Sequence, residues 1–337
     1  MLVVNDAGDW SHVYPWLEHA PWHGCAPADL IFPFFLLIVG VSLSLALGPK
    51  LDAGADRSGL ARALLWRGAR IVALGLALHA AAWWLIDGRG FRVPGVLQRI
   101  GICFAIAGLL ALWLRKAWLQ WAALIGLLLG HSVLLALGGP LTPGDNLADR
   151  IDTALFGRFA YEFDAASGRA HDPEGLLGTL GALATVMLGL RAGAWLRAGQ
   201  WQRVALAGVA ALVVGAAWAT VLPFNKQLWT PSFVLWTGGL GLLALALAHG
   251  LVDRLGAPAF GRSMGVNAIA AYAGAWLASC ALAGSGLMAP LYATVFSEPL
   301  VPRFGAEFAS LAFALVFTAT WWALMAVFER RGWRITI

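Results

Sequence analysis

The sequence predicts an all-α, polytopic transmembrane helix bundle, and three observations point to it. Of the 337 residues, 60% are hydrophobic and only 12% are charged, about half the charge of an ordinary soluble domain. The mean hydropathy is +0.74, and the 18 tryptophans suit the aromatic belts found at membrane interfaces. The apolar residues also fall into long runs, and a spanning helix needs about 20 such residues.

Nine complete spans follow one another along the chain as a single domain, residues 1–337, with no soluble domain. Their approximate bounds are 30–47, 67–86, 98–114, 118–138, 176–196, 204–222, 230–250, 265–283 and 306–328. The longest stretch between them, 139–175, contains three prolines and many acids, which predicts an external loop. Residues 1–4 resemble the end of another apolar span, so we expect a truncated span before the first complete one.

The distribution of positive charge predicts the orientation of the bundle. One alternating set of connections, with the span ends beside them, holds 15 of the 23 Lys and Arg but only four of the 18 acids. Because cytoplasmic connections are enriched in Lys and Arg, we expect this set to be cytoplasmic. The segment 5–28 then lies outside the cell, and nine spans place the C-terminus in the cytoplasm.

Several function classes are not supported by the sequence. The basic residues lie in short clusters between apolar runs rather than in one stripe, so the expected partner is the lipid bilayer and not nucleic acid. The three cysteines, Cys25, Cys103 and Cys280, show neither a disulfide framework nor metal-ligand spacing. No phosphate-binding loop, dinucleotide fingerprint or hydrolase elbow occurs in a convincing context. We predict no metal site.

The polar segment 5–29 is the first candidate site. It contains three histidines, four acids and three tryptophans, but no Lys or Arg. Histidine suits proton transfer near neutral pH, although an aromatic interface loop with solvated polar residues explains the composition equally well. Zinc binding is a weaker alternative, because the spacing matches no standard site. Asp29 opens the first complete span, where a helix N-cap or dipole partner is the favoured interpretation.

Further polar residues lie in or beside apolar spans. Gln98 and Arg99 enter a span, where a charge costs roughly 2.5–3.5 kcal/mol and therefore usually faces the bundle interior or a cavity; snorkelling to the interface is the alternative. The stretch Asp172–Glu174 is typical of a helix start, with acids at the positive end of the dipole. Lys226 departs from the predicted charge pattern and is interpreted as an interface anchor or a functional cation.

Four residues are predicted to be structural. Asn267 is expected to cap a later span. Single histidines in or near apolar runs, namely His79, His131 and His249, are expected to be satisfied within the bundle rather than to bind a ligand.

Six short segments together resemble the heparan-α-glucosaminide N-acetyltransferase family of membrane acyltransferases. The bacterial branch of this family includes NagX-type proteins associated with N-acetylglucosamine use. The segments occur in family order: 4–5 with 18–24, then 28–35, 92–99, 172–179, 225–229 and 264–267. The family pattern begins with a span that contains a Leu-Arg-Gly-like stretch, which agrees with the expected truncation of the first span.

The resemblance implies a reaction. Members of the family move an acetyl group from cytoplasmic acetyl-CoA, as co-substrate, to an amino sugar on the far side of the membrane. For this chain it implies a glucosamine-type or glycan acceptor, a bacterial inner (plasma) membrane location and a homodimer. The catalytic histidine of the family falls on His19, and a catalytic-site asparagine falls on Asn5.

On this basis we expect His19 to act as general base on the acceptor amine or to carry the acetyl group briefly. Asn5 is expected to orient the imidazole or bind the developing oxyanion, and Asp29 to fix the tautomer of His19 or receive the proton. Binding roles are expected for several further residues. Gln98 and Arg99 would bind the thioester or pantetheine amides, Arg62, Arg67 and Arg70 the CoA phosphates, and Trp22 and Trp10 a sugar face. The remaining residues expected in the site are Arg92, Asp172, Glu174, Asn225 and Lys226.

The competing hypothesis is an amino-sugar (N-acetylglucosamine) transporter, since a polar pathway through a bundle suits a carrier. Transporters often contain repeated halves with paired broken helices, and we find no internal repeat in the sequence. We therefore favour the enzyme. A non-catalytic scaffold would leave the unfavourable placement of Arg99 and Lys226 unexplained.

Overall fold

The architecture is that of a computed structural model, which describes residues 1–335. In this part of the chain, fourteen α-helices and one two-stranded hairpin follow each other. The helices are α1 (Leu2–Asn5), α2 (Ile31–Asp52), α3 (Arg57–Leu85), α4 (Val96–Trp113), α5 (Ala117–Leu137), α6 (Leu147–Leu155), α7 (Gly178–Arg197), α8 (Trp201–Ala219), α9 (Pro231–Ala248), α10 (Arg262–Val266), α11 (Ala268–Gly284), α12 (Met288–Tyr292), α13 (Glu298–Phe304) and α14 (Ala306–Arg330); the strands are β1 (Glu162–Asp164) and β2 (Arg169–His171).

Among the described residues, eight helices are long and apolar enough to cross a membrane. A ninth candidate is formed by α11 and the continuous segment Met288–Phe304, which are bent by 99° at a short break. The prediction of an all-α bundle with about nine spans is therefore confirmed. The predicted span 265–283 corresponds to α11, and this is the span that is bent.

The largest difference in bounds concerns α3, which was predicted for 67–86 but begins at Arg57. Asp56 caps it, because its carboxylate accepts hydrogen bonds from the backbone N–H groups of Ser58 and Gly59. The 29 residues of α3 correspond to a length of about 43 Å, whereas the hydrocarbon core is about 30 Å thick. Hydropathy marks only the part of a helix that lipid covers, and so the polar first turns were missed.

The helices run between two ends of the bundle, which we name by their residues. The end that carries Asp29 is the His19 end, and the end that carries Lys50, at the close of α2, is the Lys50 end. The connections α1 to α2, α3 to α4, α5 to α7 and α8 to α9 lie at the His19 end.

Helices α2 and α7 pack closely at the centre of the bundle because glycines face backbone at their interface. A Cβ added to Gly40 would lie 2.0 Å from the carbonyl oxygen of Val186, and one added to Gly189 would lie 2.0 Å from that of Leu37. Neither position tolerates a side chain without movement of the backbone. Such close approach of helices at small residues is typical of membrane bundles.

The connection 138–177, predicted as a loop, is folded at the His19 end. Asn146 caps α6 by accepting a hydrogen bond from Asp149 N, and β1 pairs with β2 in antiparallel register, with Glu162 opposite His171. These elements were not predicted, because they are too short for a recognisable periodicity: α6 has 9 residues and each strand has three. These elements position Asp149, Asp152 and His171 against the bundle.

Two predicted helix caps are wrong in detail. Asp172 and Glu174 do not start a helix, because α7 begins only at Gly178, and both carboxylates instead bind Arg92. Asn267 precedes α11 but forms no side-chain cap. Its amide donates to the carbonyl of Trp333 at 3.3 Å and accepts from Ile335 N at 3.0 Å, so it fastens the C-terminal segment.

Candidate active site

A histidine, a carboxylate and a lysine meet at the His19 end. His19 Nδ1 lies 2.7 Å from Asp29 Oδ1, and Lys226 Nζ lies 3.1 Å from Nδ1 and 3.2 Å from Nε2 of the same ring. Asp29 is fully buried, whereas the side chain of His19 is 42% exposed. The structure thus presents a solvent-accessible imidazole whose partner carboxylate is fixed beneath it.

Asp29 is held rigidly, and its role resembles the predicted cap. It lies within the 3-10 turn Pro27–Leu30, and its Oδ2 accepts hydrogen bonds from Ala26 N at 2.9 Å and Ala20 N at 3.1 Å. The carboxylate therefore closes the loop that carries His19 and leaves Oδ1 for the imidazole and, at 3.5 Å, for Lys226. The residue is inside the turn rather than at its N-cap, but it serves both a structural and a site function.

Lys226 is positioned by the tight turn between α8 and α9. Asn225, which is fully buried, accepts a hydrogen bond from Leu228 N at 2.8 Å. Trp229 has a positive φ of 52°, and its indole N–H donates to Thr185 Oγ1 at 3.2 Å. The turn is also joined to the His19 loop, because Gly24 N donates to the carbonyl of Phe224 at 2.7 Å. Burial lowers the pKa of the Lys226 amine, against the opposing effect of Asp29 and Glu174.

Three consecutive residues of this turn each meet a different histidine. Asn225 Nδ2 lies 3.4 Å from His23 Nδ1, Lys226 contacts His19, and Gln227 Oε1 lies 3.4 Å from His171 Nε2. The first two of these contacts join segments 202 and 207 positions apart in the sequence. The turn therefore organises the polar surface of the His19 end.

His171 forms a second histidine–carboxylate pair beside the first. Its Nδ1 lies 2.6 Å from Asp149 Oδ1, and burial is outweighed by the hydrogen bond and charge of Asp149, so that the pKa of His171 is raised. Trp22 packs against it with ring centroids 5.5 Å apart, and its indole N–H donates to the carbonyl of Leu141. Trp22 thus borders the site that it was expected to line, while its N–H is already occupied.

Arg92 joins two acids from the connection before α7. Its Nε and Nη2 bind Asp172 at 3.0 and 2.5 Å, and Nη2 also binds Glu174. Desolvation would raise the pKa of Glu174, but the charges of Arg92 and Arg99 and the hydrogen bond from Arg92 lower it. Arg92, Asp172 and Glu174 were all predicted to lie in the site. Their ion pairs hold the segment 172–178 against the bundle.

Arg99 and Gln98 lie deeper in the bundle, as their buried position in α4 shows. Arg99 Nη2 donates to the carbonyl of Gly175 at 2.8 Å, and its guanidinium lies 5.2 Å from the centre of the Trp229 ring. Gln98 donates to the carbonyl of Val93 at 3.0 Å. Arg99 therefore faces the interior, and snorkelling does not describe it.

Some predicted site residues are not brought to His19. Asn5 is exposed at the end of α1, which packs against α14, and in residues 1–335 no hydrogen bond joins it to His19. Trp10 is 65% exposed.

The three single histidines, which were expected to be satisfied within the bundle, differ in their hydrogen bonding. His79 pairs with the carbonyl of Arg92 and His249 with Asp253, whereas neither ring nitrogen of buried His131 has a partner in the described structure.

Asp149 and Asp152 are polar residues of this end that the sequence analysis did not select. Asp152 is fully buried; its Oδ1 accepts from Leu176 N at 3.0 Å. Desolvation raises the pKa of its carboxyl to about 7. The stretch Asn146-Leu-Ala-Asp149 is a helix-capping pattern. It was overlooked because the whole connection was predicted to be a loop.

A groove of about 840 Å³ connects the two ends of the bundle. It follows one face of α2 from Ile31 to Lys50 and is closed by residues of α3, α4 and α11, including Arg67, Leu97 and Tyr272. Ile31 and Lys50 are 19 residues apart in α2, and at a rise of about 1.5 Å per residue this path is about 28 Å long. Its walls are apolar along most of their length, and Lys50 lies at one end. Arg67 lies nearer the middle, where its guanidinium is 5.3 Å from the ring centre of Phe104. Arg62 borders a separate surface pocket, and Arg70 is exposed.

Comparison with known proteins identifies relatives of the chain. A sequence model of the family "Heparan-alpha-glucosaminide N-acetyltransferase, catalytic" matches residues 8–141, which include His19, Asp29 and Arg99. The human heparan-alpha-glucosaminide N-acetyltransferase is 27% identical over 81% of this chain, and the mouse protein of the same name is 26% identical over the same share. The chain spans about half the length of these relatives. These matches bear out the resemblance that the motifs indicated: the chain is similar to the heparan-alpha-glucosaminide N-acetyltransferases.

Proposed function

We propose that the chain is an integral membrane N-acetyltransferase that moves an acetyl group from acetyl-CoA to an amino sugar of glucosamine type. The observation that carries this proposal is the position of the His19–Asp29–Lys226 cluster relative to the groove. Asp29 lies two residues before Ile31, where the groove ends, and the cation Lys50 lies at the opposite end. The names of the relatives supply the reaction type and the acceptor class.

The donor fits the groove by its chemistry. Acetyl-CoA has a polyanionic nucleotide and a long flexible arm that ends in the thioester. Lys50 at the Lys50 end and Arg67 further along the groove would receive negative charge, and the apolar walls would hold the arm so that the thioester approaches Asp29 and His19. Since the groove wall contains Leu97, Ile100 and Phe104, this face of α4 would contact the arm. The side chains of Arg99 and Gln98 bind backbone carbonyl groups instead, and they would affect the donor only by positioning α4.

His19 would act as the general base. The neutral amine of the acceptor attacks the thioester carbonyl, a tetrahedral oxyanion forms, and its collapse breaks the C–S bond and releases the CoA thiolate. His19 takes the proton from the attacking nitrogen and returns it to the thiolate, so that no proton is lost. Asp29, hydrogen-bonded to Nδ1, would hold the tautomer that carries its proton on Nδ1, so that Nε2 is unprotonated and can act as the base. An acetyl-histidine intermediate uses the same geometry in two steps.

Lys226 would stabilise the oxyanion. Its ammonium lies 3.1–3.2 Å from both ring nitrogens of His19, so a thioester carbonyl attacked next to His19 would develop its negative charge close to this cation. Such stabilisation is a large source of rate enhancement in acyl transfer. This role was expected of Asn5, but the geometry favours Lys226.

The charge pattern supports the direction of transfer. We propose that the Lys50 end faces the cytoplasm, because it carries most of the Lys and Arg residues. The His19 end would then face the extracytoplasmic side, and acetyl-CoA from the cytoplasm would serve an acceptor across the membrane.

The decisive experiment measures acetylation of glucosamine by membranes that contain the chain and labelled acetyl-CoA. His19→Ala is expected to lower the rate by at least about 100-fold, the scale of general base catalysis, at unchanged expression. The matched control is His12→Ala, since His12 lies in the same segment, is exposed and pairs with Asp9; its rate should stay within about twofold of the wild type.

Two results would count against the proposal. Undiminished acetylation by the His19→Ala variant would remove His19 from the reaction. Counterflow of amino sugar without acetyl-CoA, in the absence of any acetylated product, would instead support the transporter.

A further inference from the structure

A second, basic pocket lies at the Lys50 end between α2, α5 and α7. Its volume is about 150 Å³, and the polar residues that line it are Ser44, Asp52, Arg115, Gln120, Arg191 and Arg197. It is distinct from the groove, but the two share Leu43 and Leu47 of α2 as a common wall. Three arginines and one carboxylate leave this pocket with a net charge of +2.

The single carboxylate is already engaged by two of the arginines. Asp52 binds Arg197 through one oxygen and lies 3.4 Å from Arg115 through the other. Arg191 contacts neither oxygen. Its Nη1 donates to the amide oxygen of Gln120 at 2.9 Å, and Gln120 in turn donates to the carbonyl of Leu114. In residues 1–335 no carboxylate lies within ion-pair distance of Arg191.

The position of Arg191 makes this lack of a counter-charge unusual. It lies six residues before the end of α7, which corresponds to a depth of about 9 Å along the helix. An arginine inside a span normally pairs with an acid or faces a polar cavity. Its guanidinium instead lies beside the packed pair Trp121 and Trp195, 5.9 and 5.7 Å from their ring centres, and the buried Nε has no hydrogen-bond partner in the described structure.

We infer that this pocket binds a phosphate group, with Arg191 as its central ligand and Arg115 and Arg197 at its rim. Arginine is suited to this ligand because its planar fork of donors matches the oxygens of a phosphate. The volume equals that of about five water molecules at about 30 Å³ each. It accommodates one compact tetrahedral anion and excludes a whole nucleotide.

Two sources can supply such a group next to the groove. One is a phosphate of CoA, and this source rests on the proposed function, because the rest of the donor would then extend into the adjoining groove. The other is the headgroup of an anionic lipid in the same leaflet, which is independent of acetyl transfer. The bound chemistry is the same, and the experiment separates the two.

The test uses the purified full chain in nanodiscs made of phosphatidylcholine alone. Calorimetry gives the dissociation constant of CoA, which binds without turnover, for the wild type, Arg191→Gln and Arg203→Gln. Arg203 is the matched control, since it is an exposed arginine near the Lys50 end and outside the pocket. In parallel, native mass spectrometry counts phosphatidylglycerol molecules retained by each protein from mixed nanodiscs.

We expect Arg191→Gln to weaken one of these two ligands at least tenfold and Arg203→Gln to change it less than twofold. Loss of CoA binding assigns the pocket to the donor, and loss of phosphatidylglycerol retention assigns it to a lipid. If the wild type binds neither ligand more tightly than Arg191→Gln does, the inference is wrong.

Two further variants, Arg115→Gln and His19→Ala, complete the experiment. Should Arg191→Gln fail to fold, as judged by its thermal midpoint, Arg115→Gln removes a rim arginine that is partly exposed and is expected to weaken the same ligand about threefold or more. His19→Ala should leave either affinity unchanged. A chain that binds the ligand but never acetylates glucosamine would refute the proposed function and leave the phosphate site intact.

Discussion

At the scale of single residues, Asp29 shows how one side chain can build a loop and serve a site. One of its oxygens accepts two backbone N–H groups of the His19 loop, and the other accepts from His19. The orientation of the imidazole therefore depends on a carboxylate that the loop itself holds in place. A fixed partner of this kind selects the tautomer of a catalytic histidine.

The ion pairs of Arg92 and Arg169 differ in burial and predict different stabilities. Arg92 binds Asp172, which is fully buried, so Arg92→Met should lower the free energy of unfolding by about 3 kcal/mol, because it leaves a buried carboxylate without its partner. Arg169 and Asp145 are both more than half exposed, and Arg169→Met should cost at most about 1 kcal/mol. Thermal unfolding of the purified variants measures both; equal losses would contradict the prediction.

The buried carboxyl of Asp152 predicts a dependence of stability on pH. Its pKa is raised from 3.8 to about 7, mainly by desolvation. Between these values the unfolded chain releases a proton that the folded chain keeps, so the stabilising contribution is complete below about pH 4 and is lost as the pH rises towards 7. The raised pKa of His171 acts in the same direction.

Asp152→Asn should therefore flatten the decline of the thermal midpoint between pH 5 and pH 8. The amide oxygen can still accept from Leu176 N, so the local structure has a substitute for the carboxylate. Asp145→Asn, at an exposed site of the same connection, serves as the control and should leave the slope unchanged. Parallel profiles for the wild type and Asp152→Asn would show that the carboxyl does not titrate in this range.

At the scale of elements, the interface of α2 and α7 determines where the site and the groove lie. Helix α2 follows directly on the turn that carries Asp29 and has Lys50 near its end, and one of its faces lines the groove. Another face packs against α7 through Gly40, Gly189 and Gly193. The small residues therefore fix the rotation of α2, which in turn decides which residues face the groove.

Gly189→Ala is expected to destabilise the bundle by about 1–3 kcal/mol, the usual scale of overpacking, because the new methyl group would lie 2.0 Å from the carbonyl oxygen of Leu37. Gly130→Ala is the control, since a Cβ there meets nothing within 4 Å and alanine favours helix by about 0.8–1 kcal/mol. The thermal midpoints should therefore move in opposite directions, and a neutral Gly189→Ala would indicate that the interface adjusts.

At the scale of the whole molecule, the proposed reaction requires that the two substrates enter from opposite sides. Inside-out membrane vesicles, with the Lys50 end towards the medium, should acetylate glucosamine trapped inside when acetyl-CoA is added outside. Right-side-out vesicles should do so only when acetyl-CoA is loaded into the lumen. Equal activity of both preparations with external acetyl-CoA would contradict the proposed direction.

The orientation itself can be measured independently by labelling with a membrane-impermeant maleimide. Ser167→Cys, at the exposed tip of the hairpin, should react in right-side-out vesicles, and Ser58→Cys, at the start of α3, should react in inside-out vesicles. The native Cys25 adds little background, because burial raises the pKa of its thiol to about 12 and the thiolate is the reactive form.

The sequence by itself determined that the chain is a bundle of about nine apolar helices, because hydropathy and length decide which segments enter a membrane irrespective of their neighbours. It also indicated the similarity to a known family, since short segments such as those around His19 and Arg99 carry the resemblance. The polar first turns of α3 and the small elements of residues 138–177 were missed, because their signals are local caps rather than apolar runs.

Only the tertiary structure decided which polar residues meet. Lys226 and His19 are 207 positions apart in the chain, and Arg92 reaches Asp172 across 80. Nothing in the local pattern around Arg92 or Asp172 distinguishes an ion-pair partner from a helix start. The face that α4 presents to the groove, and the pocket around Arg191, likewise depend on the rotation of packed helices. Side-chain pairing across a bundle is set by the close contact of helices at residues such as Gly40 and Gly189, and the sequence of a single helix does not contain that rotation.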